Sequence, residues 1–307
     1  MSGKSKTTTL SEAVARLVRP GMSLVMGAGL EACIPFAAGH EILRQGRKDL
    51  TLIGPISDAL FDMMAGGGAA GRIIAAWVGN VGTGLGYNFH RAVEEGVPNP
   101  IEVINHSNLS VATALDAGAM GVSFGVLRSL FGTTMEKENP DLAPILCPFT
   151  GRKHLAVRAL TPDLAVIHAQ RADELGNTHL WGSLGIVPEA VRASRQVLVT
   201  VEEIVPAEVI KSDPNRTLIP GFKVAAVVEE PFGAHPSPVQ GYYGHDDAFY
   251  MEYAQATRDL EGAAAWFAGW VFGLPDRRAY LKKLGSKRLE GLWVKHPAPA
   301  AAVEYGY

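Results

Sequence analysis

Cysteine is nearly absent from this sequence: 307 residues hold only Cys33 and Cys147. Two thiols so far apart fit neither a metal-ligand spacing nor a disulfide framework, so both are expected as reduced, mostly buried side chains, and no metal site is expected. Neither charge sign dominates. Lys and Arg number 28 against 31 Asp and Glu, a formal net charge of −3, which excludes a global basic surface for nucleic acid. No stretch reaches the ~18 consecutive apolar residues of a membrane helix, and the opening segment Met1–Val14 has no apolar signal core, so the expected location is cytoplasmic with no membrane partner. No repeat of fixed period is visible.

What remains is the composition of an ordinary globular enzyme, 47% hydrophobic and 19% charged, and long enough for a large core. Thr9-Leu10-Ser11-Glu12 spells a capping box, and Leu10, Val14, Leu17 and Val18 share one face of the helix it opens. Pro20-Gly21 ends that helix. A short apolar strand follows at 22–26, then Gly27-Ala28-Gly29, then a helix from Pro35 to Gln45. Strand-like runs recur at Leu50–Ile53, Ile73–Trp77, Glu102–Ile104, Leu164–His168, Gln196–Val201 and Val224–Val228. Helix-like segments lie at Ser57–Met64, Tyr87–Glu95, Leu109–Ala117 and Val187–Ser194. The alternation predicts an α/β fold: an open, mostly parallel sheet covered by helices on both faces.

Residues 126–160 break the rhythm, and the polar run Gly132–Pro140 within them reads as a surface excursion. After Asp246 the chain turns helical, at Asp247–Arg258, Leu260–Phe272 and Arg277–Leu284. The expected organisation is a disordered N-terminus at 1–8, an α/β domain at 9–245, a C-terminal helical extension at 246–295 and a tail at 296–307.

Five loops carry polar or glycine-rich chemistry at strand ends. Gly27, Gly29 and Glu31 follow the first strand, where a helix opening at Pro35 points unpaired N–H groups back at the loop, an arrangement suited to an anion. The dinucleotide fingerprint fails, because position 32 is Ala and Glu31 repels a pyrophosphate. A plain tight turn explains the same glycines. Asn80 and Gly82 lie in Gly79–Gly86, after the third strand. Asn105 and Ser107 follow the strand at 102–104; the bland reading there is a helix cap. His168 and Gln170 share one face of a strand end, and a lone His there is ordinarily a satisfied structural residue. His235 sits in Glu230–Ser237, a loop stiffened by two prolines and a candidate binding wall. Three of these strand ends are expected to converge on one edge of the sheet.

Together the segments resemble the A-type subunits of family I coenzyme A transferases, of the glutaconate CoA-transferase kind. The family's signature spacing is met by Pro20-Gly21, Leu24-Val25-Met26, Gly27-Ala28-Gly29, Cys33 and Pro35, with Pro20, Ala28, Gly29 and Cys33 departing from the usual residues. Further likeness lies in Ile42-Leu43-Arg44-Gln45-Gly46, Ile167-His168-Ala169-Gln170, Val201-Glu202-Glu203-Ile204, Ile219-Pro220-Gly221, Pro231–Pro236 and Gly241-Tyr242-Tyr243. It continues in Trp270-Val271-Phe272, Tyr280-Leu281 and Leu284-Gly285, so that it covers about residues 9–295. The resemblance implies transfer of CoA from an acyl-CoA to a free carboxylate, by way of a glutamyl-CoA thioester. It places the nucleophilic glutamate on a separate B-type subunit, in a Ser-Glu-Asn-Gly-like context absent here, within an α2β2 assembly. No catalytic residue is then expected in this chain. Coenzyme A is a substrate and no cofactor is expected. Gly27, Gly29, Glu31, Asn80, Gly82, Asn105, Ser107 and His235 are the residues expected around the acyl group.

Two other readings stand beside this one. Some proteins resembling these subunits open a ring on a steroid-derived CoA thioester by hydrolysis, with a glutamate just after the strand equivalent to 102–104. Asn105 stands there in this chain, and Asn cannot act as a general base, so that reading needs Glu102 or Glu31 instead. The other is a non-catalytic subunit that binds acyl-CoA or carboxylates.

Overall fold

A computed structural model describes residues 4–295 of the chain. The expected tail at 296–307 and residues 1–3 lie outside the described residues. Helix α1 (Leu10–Leu17) begins as its capping box predicts: Thr9 Oγ1 accepts from Glu12 N–H at 3.3 Å and Glu12 Oε2 accepts from Thr9 N–H at 3.2 Å. Then come β1 (Ser23–Met26), α2 (Phe36–Arg44), β2 (Leu50–Gly54), α3 (Asp58–Gly66) and β3 (Ala70–Ala75). A two-strand ribbon, β4 (Gly79–Asn80) with β5 (Gly84–Leu85), interrupts the alternation before α4 (Tyr87–Glu94), β6 (Glu102–Asn105) and α5 (Asn108–Met120).

The segment from 124 to 158 holds regular structure that the sequence reading did not predict. It folds as a three-stranded antiparallel sheet, β7 (Phe124–Leu127), β8 (Leu142–Leu146) and β9 (Lys153–Arg158), in the order β7-β9-β8, with α6 (Thr134–Glu138) in its crossing loop. Leu127, Leu155 and Val157 pack with Ala114 of α5. One apolar face seated on a helix is sufficient to order short strands.

The second half supplies β10 (Leu164–Ala172), β11 (Thr178–His179), α7 (Val187–Ala193), β12 (Gln196–Ile204), α8 (Ala207–Lys211), β13 (Thr217–Ile219) and β14 (Val224–Glu229). Seven parallel strands run in the order β6-β3-β2-β1-β10-β12-β14, and β11 and β13 extend the β10 end in antiparallel fashion. Successive residues face opposite sides. Leu24, Met26 and Leu52 join one core cluster, while Val25 and Ile53 join the other. Strand order reverses direction between β1 and β10, and ligands of open α/β sheets bind beyond the carboxyl ends of the strands at such a switch point.

Helices α9 (Asp247–Ala256), α10 (Leu260–Phe267), α11 (Arg277–Leu284) and α12 (Ser286–Leu292) close the described chain, with a π-helical turn at Ala268–Phe272. Their Phe249, Tyr250, Tyr253, Trp266 and Tyr280 belong to the same core cluster as Leu24. The expectation of disorder over 1–8 fails for residues 6–8. Lys6 N–H donates to Glu174 O at 2.8 Å and Thr8 N–H to Val227 O at 3.0 Å, so this segment lies along the edge strand β14 and satisfies its backbone. Among the described residues no helix is long and apolar enough to cross a membrane.

Candidate active-site cleft

The carboxyl ends of β1, β2 and β3 open into a cleft of about 270 Å³ lined by Leu30, Glu31, Ile56, Asp58, Asn80, Val81, Gly82, His245 and Asp247. Its walls are turns held in costly conformations. Leu30, Ser57 and Asp58 have φ of 71°, 58° and 52°, in the left-handed region that L side chains avoid. Such residues cost about 1–3 kcal/mol each and persist where the surroundings over-determine them. Here the surroundings are visible. Ser57 Oγ donates to Met26 O at 2.9 Å, and a Cβ on Gly27 would meet Ser57 Cα at 2.7 Å, so the turn after β1 and the turn after β2 fit only with glycine at 27.

Asp58 forms the floor. It is 2% exposed, and its Oδ1 accepts from Asn80 Nδ2 at 2.6 Å and from Ala59 N–H at 2.8 Å, while Oδ2 accepts from the Tyr250 hydroxyl. Burial pushes its pKa up; the hydrogen bonds from Tyr250 and Asn80 pull the other way and only partly offset it. Glu31 and Asp247 are exposed at the rim, and His245 Nδ1 lies 3.9 Å from Asp247.

Of the residues singled out in the sequence, the cleft gathers Glu31, Asn80 and Gly82. Gly27 and Gly29 lie behind it, in the turn that carries Glu31; Gly29 O accepts from Ser183 Oγ at 3.1 Å. The other expectations need correction. Asn105 is exposed at the end of β6, on the same carboxyl edge of the sheet as the ends of β1 and β3, but it faces a separate cleft of about 230 Å³ with Thr134, Met135 and Glu138. Ser107 is the N-cap of α5, its Oγ accepting from Ser110 N–H at 3.0 Å. His235 is fully buried: Nε2–H donates to Asp246 Oδ2 at 2.9 Å and Nδ1 accepts from the Tyr280 hydroxyl at 2.8 Å, leaving the ring no face toward a substrate.

The first turn of α2 is not free for an anion either, because Ala37 N–H donates to Gly233 O at 2.9 Å and Phe36 N–H to Ile34 O at 2.8 Å. His168 binds Thr200 at 2.8 Å and Glu202 at 2.7 Å, and Gln170 donates to Trp181 O at 3.0 Å; both are satisfied inside the protein. Both cysteines are free thiols. Cys33 is buried, and burial with the Glu202 charge beside it pushes the thiol up to about 12. Cys147 is only partly covered, contrary to expectation, and hydrogen bonds from Thr150 and Phe149 lower its pKa.

Asp58, His245 and Asp247 escaped the sequence reading. An aspartate in the turn that follows a strand was a signal for Asp58. His245 and Asp247 reach the cleft through a chain reversal that local spacing does not encode.

Comparison with known proteins shows what the chain as a whole is similar to. Residues 7–230 match the family model described as Coenzyme A transferase. The chain is 41% identical to the A-type subunit of 3-oxoadipate CoA-transferase from Pseudomonas knackmussii, over 90% of this chain and 97% of that protein. It is 33% identical to the A-type subunit of glutaconate CoA-transferase from Acidaminococcus fermentans, over 94% and 95% of the two chains. The crystal structure of the Acidaminococcus enzyme superposes with a TM-score of 0.89 over 94% of this chain and 96% of that one. A cholesterol ring-cleaving hydrolase IpdA subunit of Rhodococcus jostii is 27% identical over 94% of this chain and 99% of its own length.

Proposed function

Because the chain belongs to the coenzyme A transferase family, we propose that it is the A-type subunit of a heteromeric acyl-CoA:carboxylate CoA-transferase whose nucleophilic glutamate lies on a B-type partner. The observation that carries this reading is the 41% identity to the A-type chain of a CoA-transferase, spanning 97% of that protein. The cleft agrees with it. It sits at the carboxyl edge of the sheet, and its one buried acid, Asp58, has both oxygens engaged by Asn80, Ala59 and Tyr250.

The reaction runs in two matched halves. A partner carboxylate attacks the thioester carbonyl, CoA departs as thiolate, and the acyl group stays on the glutamate as an anhydride. The thiolate then attacks the glutamyl carbonyl, the acyl group leaves as its carboxylate, and CoA is held as a glutamyl thioester. An acceptor carboxylate reverses these steps. A carboxylate is a weak nucleophile, so the site must hold the thioester in attack geometry and exclude water. In this chain the turn at 27–31 and the loop at 79–86 form walls that serve that purpose, with coenzyme A as substrate and no cofactor. An α2β2 assembly fits the same reading.

Hydrolysis on the same fold is the competing chemistry. Glu102 opens β6, at the strand end away from Asn105, and pairs with Arg72 at 2.6 Å, so it does not replace the acid missing at Asn105. Glu31 is then the one exposed glutamate lining the cleft.

Trapping separates these readings. The co-purified pair is incubated with acyl-CoA, treated with borohydride or hydroxylamine, and both chains are mapped by mass spectrometry. A modified glutamate on the partner, with CoA appearing on added acetate, is the expected result. Modification of Glu31, or release of free CoA without transfer, overturns it.

A further inference from the structure

Two buried acids lie one helical turn apart on α3, and the proposed reaction assigns neither a chemical step. Asp58 is 2% exposed and Asp62 is 1% exposed. Each accepts from a tyrosine of α9: Tyr250 on Asp58 and Tyr253 on Asp62. Each also holds one end of the same loop. Asp58 Oδ1 receives Asn80 Nδ2 at 2.6 Å. Asp62 receives Phe89 N–H at 2.7 Å and Asn88 Nδ2 at 2.9 Å. Gly86 passes so close to Asp62 that a Cβ there would overlap its carboxylate.

An aspartate in its ionised form only accepts, so Asn80 must turn its amide nitrogen toward Asp58 and its carbonyl toward the loop. That carbonyl then takes three donors: Gly82 N–H at 2.9 Å, Thr83 N–H at 3.0 Å and Thr83 Oγ1 at 3.2 Å. A single amide thus converts the orientation of a buried carboxylate into the shape of the cleft wall at Asn80 and Gly82.

We propose that Asp58 and Asp62 form a two-point clamp on the loop 80–88, with Asp58 a positioning residue that acts through Asn80 to fix the cleft wall against the acyl group. The clamp rests on the transferase reading only for what the wall contacts; the loop geometry stands without it. The groups facing Asp58 are Asn80 from the loop, Tyr250 from α9 and His245 ahead of it, with Glu31 and Asp247 at the rim. Asp62 faces Tyr253, Asn88 and Arg91.

The test uses the assembled pair carrying Asp58→Ala, Asp58→Asn or Asn80→Asp. Steady-state KM and kcat are measured from pH 5.5 to 8.5, and hydrogen exchange is followed in peptides covering 79–88. Asp58→Ala removes the acceptor of Asn80, Ala59 N–H and Tyr250 together, and the freed Asn80 amide raises KM about tenfold and speeds exchange at Gly82 and Thr83 by about the same factor. Asp58→Asn keeps an acceptor for Asn80 and recovers most of that loss. Asn80→Asp sets two carboxylates together, which share a proton more readily as pH falls, so its KM falls toward acid while the wild-type KM does not follow that trend. Equal KM and equal loop exchange in all three variants overturn the clamp, as does a loss in Asp58→Asn as large as in Asp58→Ala. If the wild-type pair moves CoA to no carboxylate, the transferase reading falls, and the exchange measurement alone still decides the clamp.

Discussion

His235 shows how one buried side chain ties pH to stability. Its pKa is lowered to about 4, first by burial, with the Asp246 hydrogen bond pulling the other way. At pH 7 it is neutral in folded and unfolded chains alike. Below about 6.5 the unfolded chain takes up a proton that the folded chain refuses until about pH 4, so stability present above 6.5 is lost as pH falls through that window. For a fully buried ring the loss is about 3 kcal/mol. A His235→Asn chain is expected to start with a lower melting temperature and to show a flatter decline between pH 6.5 and 4, as followed by circular dichroism. Asp246 acts in a different range. Burial alone would raise its pKa, but hydrogen bonds from His235, Arg288 and Phe249 hold it well below the carboxylate norm, so its share of stability is lost only in stronger acid. Asp58 has the opposite sign: its raised pKa makes the charged form costly in the folded chain. The melting temperature of Asp58→Asn relative to wild type should therefore climb as pH goes from 4 to 7. The loop Pro231–Pro236 marked His235 in the sequence, but its partners are 11 and 45 residues away, so its burial was not legible locally.

At the scale of elements, the parallel strands were legible because both faces are covered and each reads as a short apolar run. Local pattern ran out where contact is distant. Strands β10 and β12 continue past their predicted ends to Ala172 and Ile204, since their mutual pairing extends to those residues. The small sheet β7-β9-β8 was missed because only one face is covered, and its outward Phe124 and Val126 are exposed apolar residues that blur the alternation. The C-terminal helices were correctly expected as helices, yet nothing local showed that Tyr250 and Tyr253 seal the acids of α3. Deleting residues 246–295 strips Phe249, Tyr250, Tyr253, Trp266 and Tyr280 from the main core and leaves Asp58 and Asp62 short of a donor. A buried acceptor without its donor costs about 1–3 kcal/mol, and each lost large side chain about 3–5 kcal/mol, against a total stability of about 5–15 kcal/mol. The truncated chain is expected to lose its near-ultraviolet circular dichroism and to bind a hydrophobic dye; a cooperative melt would contradict the shared core.

The whole molecule presents a cleft at the carboxyl edge of the sheet whose walls are turns tied together by Ser57, Asp58 and Asn80. Glu31 and Asp247 are solvated at the rim, with His245 Nδ1 3.9 Å from Asp247, and Asp58 is fully engaged beneath it by Asn80, Ala59 and Tyr250. The loops after β1 and β3 line the cleft through Leu30, Glu31, Asn80 and Gly82, while Asp58, His245 and Asp247 come from segments brought in by the fold. If the attacking carboxylate arrives on a second chain, activity must follow association. At fixed concentration of this chain, added B-type partner should raise the initial rate of CoA transfer to a plateau reached at one partner per chain, and dilution of the mixture should lower specific activity as the pair dissociates. Either chain alone should give no transfer. A rate that scales with this chain and ignores the partner would place the nucleophile here after all, with Glu31 the residue to substitute first.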